Sequence, residues 1–218
     1  HTLNQSTSIN YGSAVAANDD FLVIGASGFI NQGSNKKEIG AAYIYKKEKG
    51  FYKQIHQTSG EAGVRQVGLS NTARLPDAGG DSGPSHDFNF GASVAVSPSG
   101  LIAVGQPTSS NDGLVAIYEP NDAKTSCTIN SVVINDSGNI QFGNSVAFDK
   151  SVSGDGTQFG VIGSPHASIG GSGNLGSVSV FKGSVTNGYK TSAVNAFSVY
   201  ALDTHEGANM PVGAVHTA

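Results

Sequence analysis

Cysteine is almost absent from this sequence. Of 218 residues only Cys127 is a cysteine, so neither an intrachain disulfide nor a cysteine-based metal site can form. That excludes a disulfide-stapled secreted module, though not secretion itself. Charge is scarce too: Asp, Glu, Lys and Arg make up 13% of the chain, about half the share in an average domain. Lys and Arg number 12 and the net charge is −4, so no basic surface for nucleic acid is evident. No apolar run approaches the ~20 residues of a membrane-crossing helix, and no membrane span is expected in this segment. No signal peptide is visible; a first residue of His1 rather than Met leaves room for a missing or cleaved N-terminal segment.

Helical periodicity is also lacking. The hydrophobic segments are short, β-branched and bounded by Gly, Pro, Asn and Asp, which reads as strand throughout. Glycine is abundant, 30 residues in all, about twice the usual share. Many glycines with few charges suit short strands joined by many turns. Hydrophobic runs that recur at low net charge argue against disorder, and the length allows a sizeable core.

What is present is a pattern that occurs three times. Its copies are Tyr11-Gly12-Ser13-Ala14-Val15-Ala16, Phe90-Gly91-Ala92-Ser93-Val94-Ala95 and Phe142-Gly143-Asn144-Ser145-Val146-Ala147. A second apolar run follows each: 21–27, 101–107 and 159–165, with glycine at Gly25, Gly105 and Gly163. A third run follows at 40–45, 113–118 and 176–181. Three matched segments in the same order, three times over, make an internal repeat, which takes precedence over any other reading. Asn18-Asp19-Asp20, Ser97-Pro98-Ser99-Gly100 and Ser153-Gly154-Asp155-Gly156 are turn signals between the first and second runs. Phe51 to Gln57, Thr128 to Asn135 and Phe197 to Leu202 supply a fourth strand to each unit. The expected units are therefore 11–57, 90–135 and 142–202, each an antiparallel meander, with 203–218 a partial unit or tail. The repeats start 79 and then 52 residues apart, and the difference of 27 places an insertion at 58–88.

A repeat of about 50 residues with four strands suggests a β-propeller blade. Small residues in the first run suit a crowded inner strand. A second run apolar on both faces suits a strand between neighbouring blades, and Ser177-Val178-Ser179-Val180 alternates as a strand further out would. Glycines after the second strand allow close backbone approach or positive φ. The residues Phe-Gly-x-Ser-Val-Ala, then Val-x-Gly-x-Pro, then Gly-x-Val-x-Ile-Tyr, resemble the FG-GAP repeat of integrin-α-type β-propellers. The match is nearest to the short-turn sub-type of bacterial and protist surface proteins. This resemblance implies an all-β propeller of four-stranded blades at a cell surface or outside the cell. It implies a non-catalytic role in adhesion or in binding a protein or glycan ligand. It also implies that some blades of the family bind calcium in the first hairpin. Here only 151–159 comes near such a loop, with serines at the first two ligand positions, Phe159 at the last and Asp155 as its carboxylate. One carboxylate is too little for a cation that takes six to eight oxygens. No cofactor is expected, and calcium is kept only as a secondary expectation at that loop.

Propellers close with about four to eight blades, whereas three units and a fragment are present. Either the sequence belongs to a longer polypeptide, the favoured reading, or blades from several chains complete a ring. Two other roles follow: the structural subunit of an extracellular filament or surface assembly built from copies of itself, and the accessory propeller of a larger secreted enzyme.

Several motifs imitate chemistry. Gly80-Asp81-Ser82-Gly83-Pro84 is one glycine short of the nucleophile segment of trypsin-like proteases, and neither His56 nor His86 has the context of a positioned base. Gly171-Ser172-Gly173-Asn174-Leu175-Gly176 fits a dinucleotide fingerprint but opens a strand, not a helix. The six histidines, His1, His56, His86, His166, His205 and His216, show no metal-ligand spacing. No catalytic residue is assigned. Asn4 and Asn135 head N-glycosylation sequons, of a number that chance supplies in an Asn- and Ser-rich chain. The loops 28–39, 58–88 and 166–175 are the expected contact surface, because long loops on a repeat scaffold are where binding usually resides.

Overall fold

The computed structural model describes residues 10–28, 40–56, 89–107, 113–134, 139–152, 154, 156–167, 176–184, 188–189 and 198–200. The described chain is all-β, in antiparallel sheets. Sheet one contains β1 (Tyr11–Ala17), β2 (Phe21–Ala26), β3 (Ala41–Glu48) and β4 (Phe51–His56) in sequential order. Sheet two contains β5 (Ser93–Val96), β6 (Ile102–Gln106), β7 (Leu114–Pro120) and β8 (Cys127–Ile134), again in order. The rest of the chain contributes β9 (Asn139–Ile140), β10 (Ser145–Val152), β11 (Gln158–Ser164), β12 (His166–Ala167), β13 (Ser177–Ser184), β14 (Gly188–Tyr189) and β15 (Ser198–Tyr200). Sheet three runs β10-β11-β13, and β14 and β15 share the outer edge of β13. The short strands β9 and β12 pair with each other.

The local reasons are visible in the turns. The Asn18 side-chain oxygen accepts hydrogen bonds from the backbone N–H groups of Asp20 (2.9 Å) and Phe21 (2.7 Å), an Asx turn that reverses β1 into β2. At the equivalent place in sheet two, the Gly100 N–H donates to the Ser97 carbonyl at 3.0 Å. The Leu101 N–H donates to the Ser97 hydroxyl at 2.9 Å. Both hairpins thus use an Asn or Ser side chain to satisfy backbone groups that the ladder leaves over.

The sheets pack face on face. Phe21, Val23, Ala42 and Ile44 of sheet one bury themselves against Phe90, Val94, Ile102, Val104, Ala116 and Tyr118 of sheet two. The other face of sheet two, through Ala95, Leu101, Ala103, Val115 and Ile117, packs on Phe142, Ile162 and Phe181 of the third unit. Strand β5 lies against β1 and β2 on one side and β10 on the other. Burying a Phe, Ile or Val side chain fully contributes about 1.5–3 kcal/mol, so these two seams hold the described structure together.

Two expectations change on contact with the structure. A second strand covered on both faces is found in sheet two, where all of β6 is buried. In β11 buried and exposed residues alternate, and Phe159 and Val161 face solvent. Strand β13 alternates as expected, and it is the serines rather than the valines that lie on the covered face. Ser177 and Ser179 are buried while Val178 is exposed. Both differences have one cause: sheet two has a packed neighbour on each face, whereas among the described residues sheet three has one only on the side of sheet two. The fourth position of unit three is also split between β14 and β15, where one strand was expected.

Truncating a side chain in a seam should cost far more than truncating one outside it. Ile102→Ala is expected to lower stability in urea unfolding by about 2–5 kcal/mol. Phe51→Ala, at an exposed position of β4, should change it by about 0.5 kcal/mol or less.

Candidate functional site

The three copies of the aromatic–glycine pattern build the same corner. A backbone hydrogen bond closes each: Ser13 N to Asn10 O (2.9 Å), Ala92 N to Asn89 O (3.0 Å) and Asn144 N to Gln141 O (3.1 Å). The residue before the aromatic takes positive φ in every case, Asn10 at 48°, Asn89 at 51° and Gln141 at 65°. The motif glycine follows at 90°, 86° and 89° for Gly12, Gly91 and Gly143. Two left-handed residues around an aromatic give a sharp bend that pushes the glycine carbonyl out of its own sheet. Only glycine reaches φ near +90° without a Cβ clash.

At Gly91 and Gly143 that carbonyl lands on the preceding sheet. The Ser13 hydroxyl donates to Gly91 O at 3.1 Å, and the Ser93 hydroxyl donates to Gly143 O at 2.7 Å. The place is kept open by the glycine of the second strand. A Cβ on Gly25 would lie 1.9 Å from Gly91 O, and one on Gly105 would lie 2.1 Å from Gly143 O. Gly40 and Gly113 are held in the same way against the carbonyls of Phe90 and Phe142. The aromatic rings of Phe90 and Phe142 are buried. Tyr11, at the first corner, is exposed; its ring meets Tyr43 edge-on at 5.2 Å and its hydroxyl lies 2.9 Å from that of Tyr45.

Polar contacts join the sheets at the end that carries the first hairpins. The Asn18 amide donates to Ser97 O at 2.9 Å, and the Ser99 hydroxyl donates to the Gln158 side-chain oxygen at 2.9 Å. Lys124 pairs with Asp20 and lies over the Phe21 ring. An exposed pair of this kind adds little, about 0–1 kcal/mol, but it fixes the turn of sheet two on that of sheet one. In a meander the other end bears the β2–β3 connections and the links between sheets. The expected contact loops 28–39, 58–88 and 166–175 all start from that end, and lie outside the described residues except for Gly28, His166 and Ala167, the last two forming β12.

Most sequence-predicted sites lie outside the described residues. Asn4 and Asn135 lie outside the described residues, as do Gly80–Pro84, His1, His86, His205 and His216. Gly171–Leu175 lie outside them too, and Gly176 enters β13. His166 is exposed. In the hairpin considered for calcium, Ser153 and Asp155 are outside the described residues. Gln158 beside it is buried; its amide donates to Asp149 O of its own sheet at 3.2 Å, and its side-chain oxygen accepts from Ser99 of sheet two. Phe159 sits on the sheet face rather than in the turn. No group of three or more His, Cys, Asp or Glu side chains able to hold a metal occurs among the described residues. The corner residues Asn10, Asn89 and Gln141 went unnoticed in the sequence; Asn at two of the three positions, with its tolerance of left-handed φ, is the signal that was available.

Cys127 is buried in the first seam, and burial pushes its thiol up to about 12. Burial, with the neighbouring Cys127 second, raises the Tyr118 hydroxyl well above its ordinary value. Neither is placed for nucleophilic chemistry, which needs an accessible group with a lowered pKa. Comparison with protein-family models and with characterised proteins finds no match to this sequence.

Two expected outcomes follow from this geometry. Gly143→Ala adds a Cβ 2.4 Å from Leu114 O, whereas Gly12→Ala, at the same φ, meets nothing within 4 Å. Gly12→Ala should therefore cost only the backbone strain, about 1–3 kcal/mol, and Gly143→Ala above about 4 kcal/mol, measured by urea unfolding. Cys127 titrates higher in the folded chain than its ordinary 9.0, so the stability tied to its proton is intact below pH 9 and is lost as pH rises toward 12. Cys127→Val should flatten part of the alkaline fall in thermal midpoint, and native Cys127 should resist a thiol reagent until urea is added.

Proposed function

We propose that this chain is a β-propeller segment of the FG-GAP kind, acting outside the cell or at its surface as a non-catalytic binding module for a protein or glycan. The observation that carries the reading is the repeated corner. One contact, a glycine carbonyl received by a serine hydroxyl over a bare glycine, relates sheet one to sheet two and sheet two to sheet three. A contact repeated with the same parts implies a repeated rotation, and successive four-stranded meanders related in that way are what a propeller consists of.

The binding role rests on the asymmetry of the two ends. One end is closed by short turns whose polar groups are spent on each other, as in Asn18 with Ser97 and Ser99 with Gln158. The longer connections leave from the other end, including the 58–88 insertion between sheets one and two. Rigid sheets that present long connections at one end are the usual arrangement of a loop-borne recognition surface.

Replacing 60–86 with a short Gly-Ser linker tests this reading. The labelled wild-type chain should bind members of an array of glycans and extracellular matrix proteins. The deletion should lose at least tenfold in signal while keeping the wild-type urea midpoint within experimental scatter. Binding undiminished by the deletion would overturn the assignment.

A further inference from the structure

Each seam between sheets has a receiving half and an inserting half. The receiving half is one face of a sheet: the serine hydroxyl, the bare glycine of the second strand and an apolar patch on strands two and three. In sheet two it comprises Ser93, Gly105, Leu101, Ala103 and Val115. The inserting half is the opposite face of the next sheet: the aromatic–glycine corner and the apolar residue three positions after the glycine, as in Phe142, Gly143 and Val146.

The repeat carries both halves to positions where the described structure leaves them unmatched. Sheet three repeats the receiving half as Ser145, Gly163, Phe159, Val161 and Val178. Among the described residues a Cβ on Gly163 would meet only the Ser145 side chain, where Gly105 meets the next corner as well. Phe159, Val161 and Val178 are 39%, 41% and 41% exposed, although Leu101 and Ala103 in the same positions of sheet two are buried. Sheet one repeats the inserting half as Tyr11, Gly12 and Val15. Gly12 has nothing within 4 Å of a built Cβ, and Tyr11 and Val15 are 43% and 66% exposed, while Phe90 and Val94 are buried.

We infer that the exposed face of sheet three receives the Tyr11–Gly12 corner of a second copy of this chain, joining copies head to tail through a third instance of the internal seam. A second copy is the occupant because this one chain carries both complementary halves, and because its two internal seams already show how they fit. Receiving faces meet only inserting faces in those seams, so the contact is heterologous. Copies joined in this way close into a ring if the rotation per chain divides a full turn, and otherwise propagate as a filament. The Ser145 hydroxyl donates to the partner's Gly12 carbonyl, and the partner's Val15 packs over Val161. The inference goes beyond loop-borne binding and stands apart from it: a chain that stays single would overturn it and leave that reading intact.

Sedimentation velocity of the 218-residue chain over a hundredfold concentration range tests the inference. The wild type should form species heavier than one chain as concentration rises. Val161→Glu spoils the receiving face alone and Val15→Glu the inserting face alone, and each variant by itself should sediment as a single chain. Mixed in equal amounts, they should form a two-chain species, because each supplies the intact half that the other lacks. Should Val161→Glu fail to fold, Val178→Glu takes its place. A wild type that stays a single chain throughout would overturn the inference, the face then belonging to a unit in cis or to a different protein. Either variant assembling as the wild type does, or a mixture that remains single, would overturn it too.

Discussion

The described structure depends on a close approach of two backbones. The carbonyls of Gly91 and Gly143 reach a neighbouring sheet so closely that a single Cβ on Gly25 or Gly105 would collide with them. Nothing in this approach is strong in itself; a neutral hydrogen bond such as Ser93 to Gly143 nets about 0.5–1.5 kcal/mol. Its importance is geometric. It sets how near the sheets come, and therefore whether Phe21, Ile102, Ile117 and Phe142 fill the space between them or leave gaps. Cores packed to crystal-like density tolerate little slack, so the small residues decide what the large ones can contribute.

The same constraint orders the rest of the chain. The first strand has to be built of small residues because it crosses beside its counterparts: β5 touches both β1 and β10. Polar groups at the hairpin end follow from the same nearness. Once the sheets are fixed at that separation, the turn of one lies within reach of the turn of the next, and Asn18, Ser99, Gln158 and Lys124 find partners across the gap. These contacts satisfy groups that would otherwise be half-buried and unpaired, which costs more than making the bond gains.

Much of this was legible in the sequence. Strands β1 to β8 lie within a few residues of their expected positions, because turn chemistry and short apolar runs are local signals. The role of glycine after the second strand was legible as a choice between close approach and positive φ; Gly25 and Gly105 take the first. Other features were not legible, for reasons that are also physical. Ser13 does for sheet one what Ser93 does for sheet two, yet Ser13 stands one place earlier in the repeat. The register shift between Tyr11 and Val15 absorbs the difference, and such a shift belongs to a pair of strands rather than to either one. The serines of β13 turn inward although the valines between them are more apolar. A strand's own alternation fixes which residues share a face, but not which face its neighbours cover.

That last point bears on what the chain is for. In sheet two every position of the second strand is buried, so its sequence is under the demands of two neighbours at once. Sheet three keeps Phe159, Val161 and Val178 on a face that the described structure leaves open. A surface strand with no further use for that face could carry Thr, Lys or Glu there and gain solubility, since exposed apolar patches on sheets invite association. Ser145 and Gly163 stand on the same face at the places where sheet two holds its serine and bare glycine, and a bare glycine weakens a strand unless another backbone comes close. An apolar face with the hydroxyl and the gap of the internal seam has the composition of an interface.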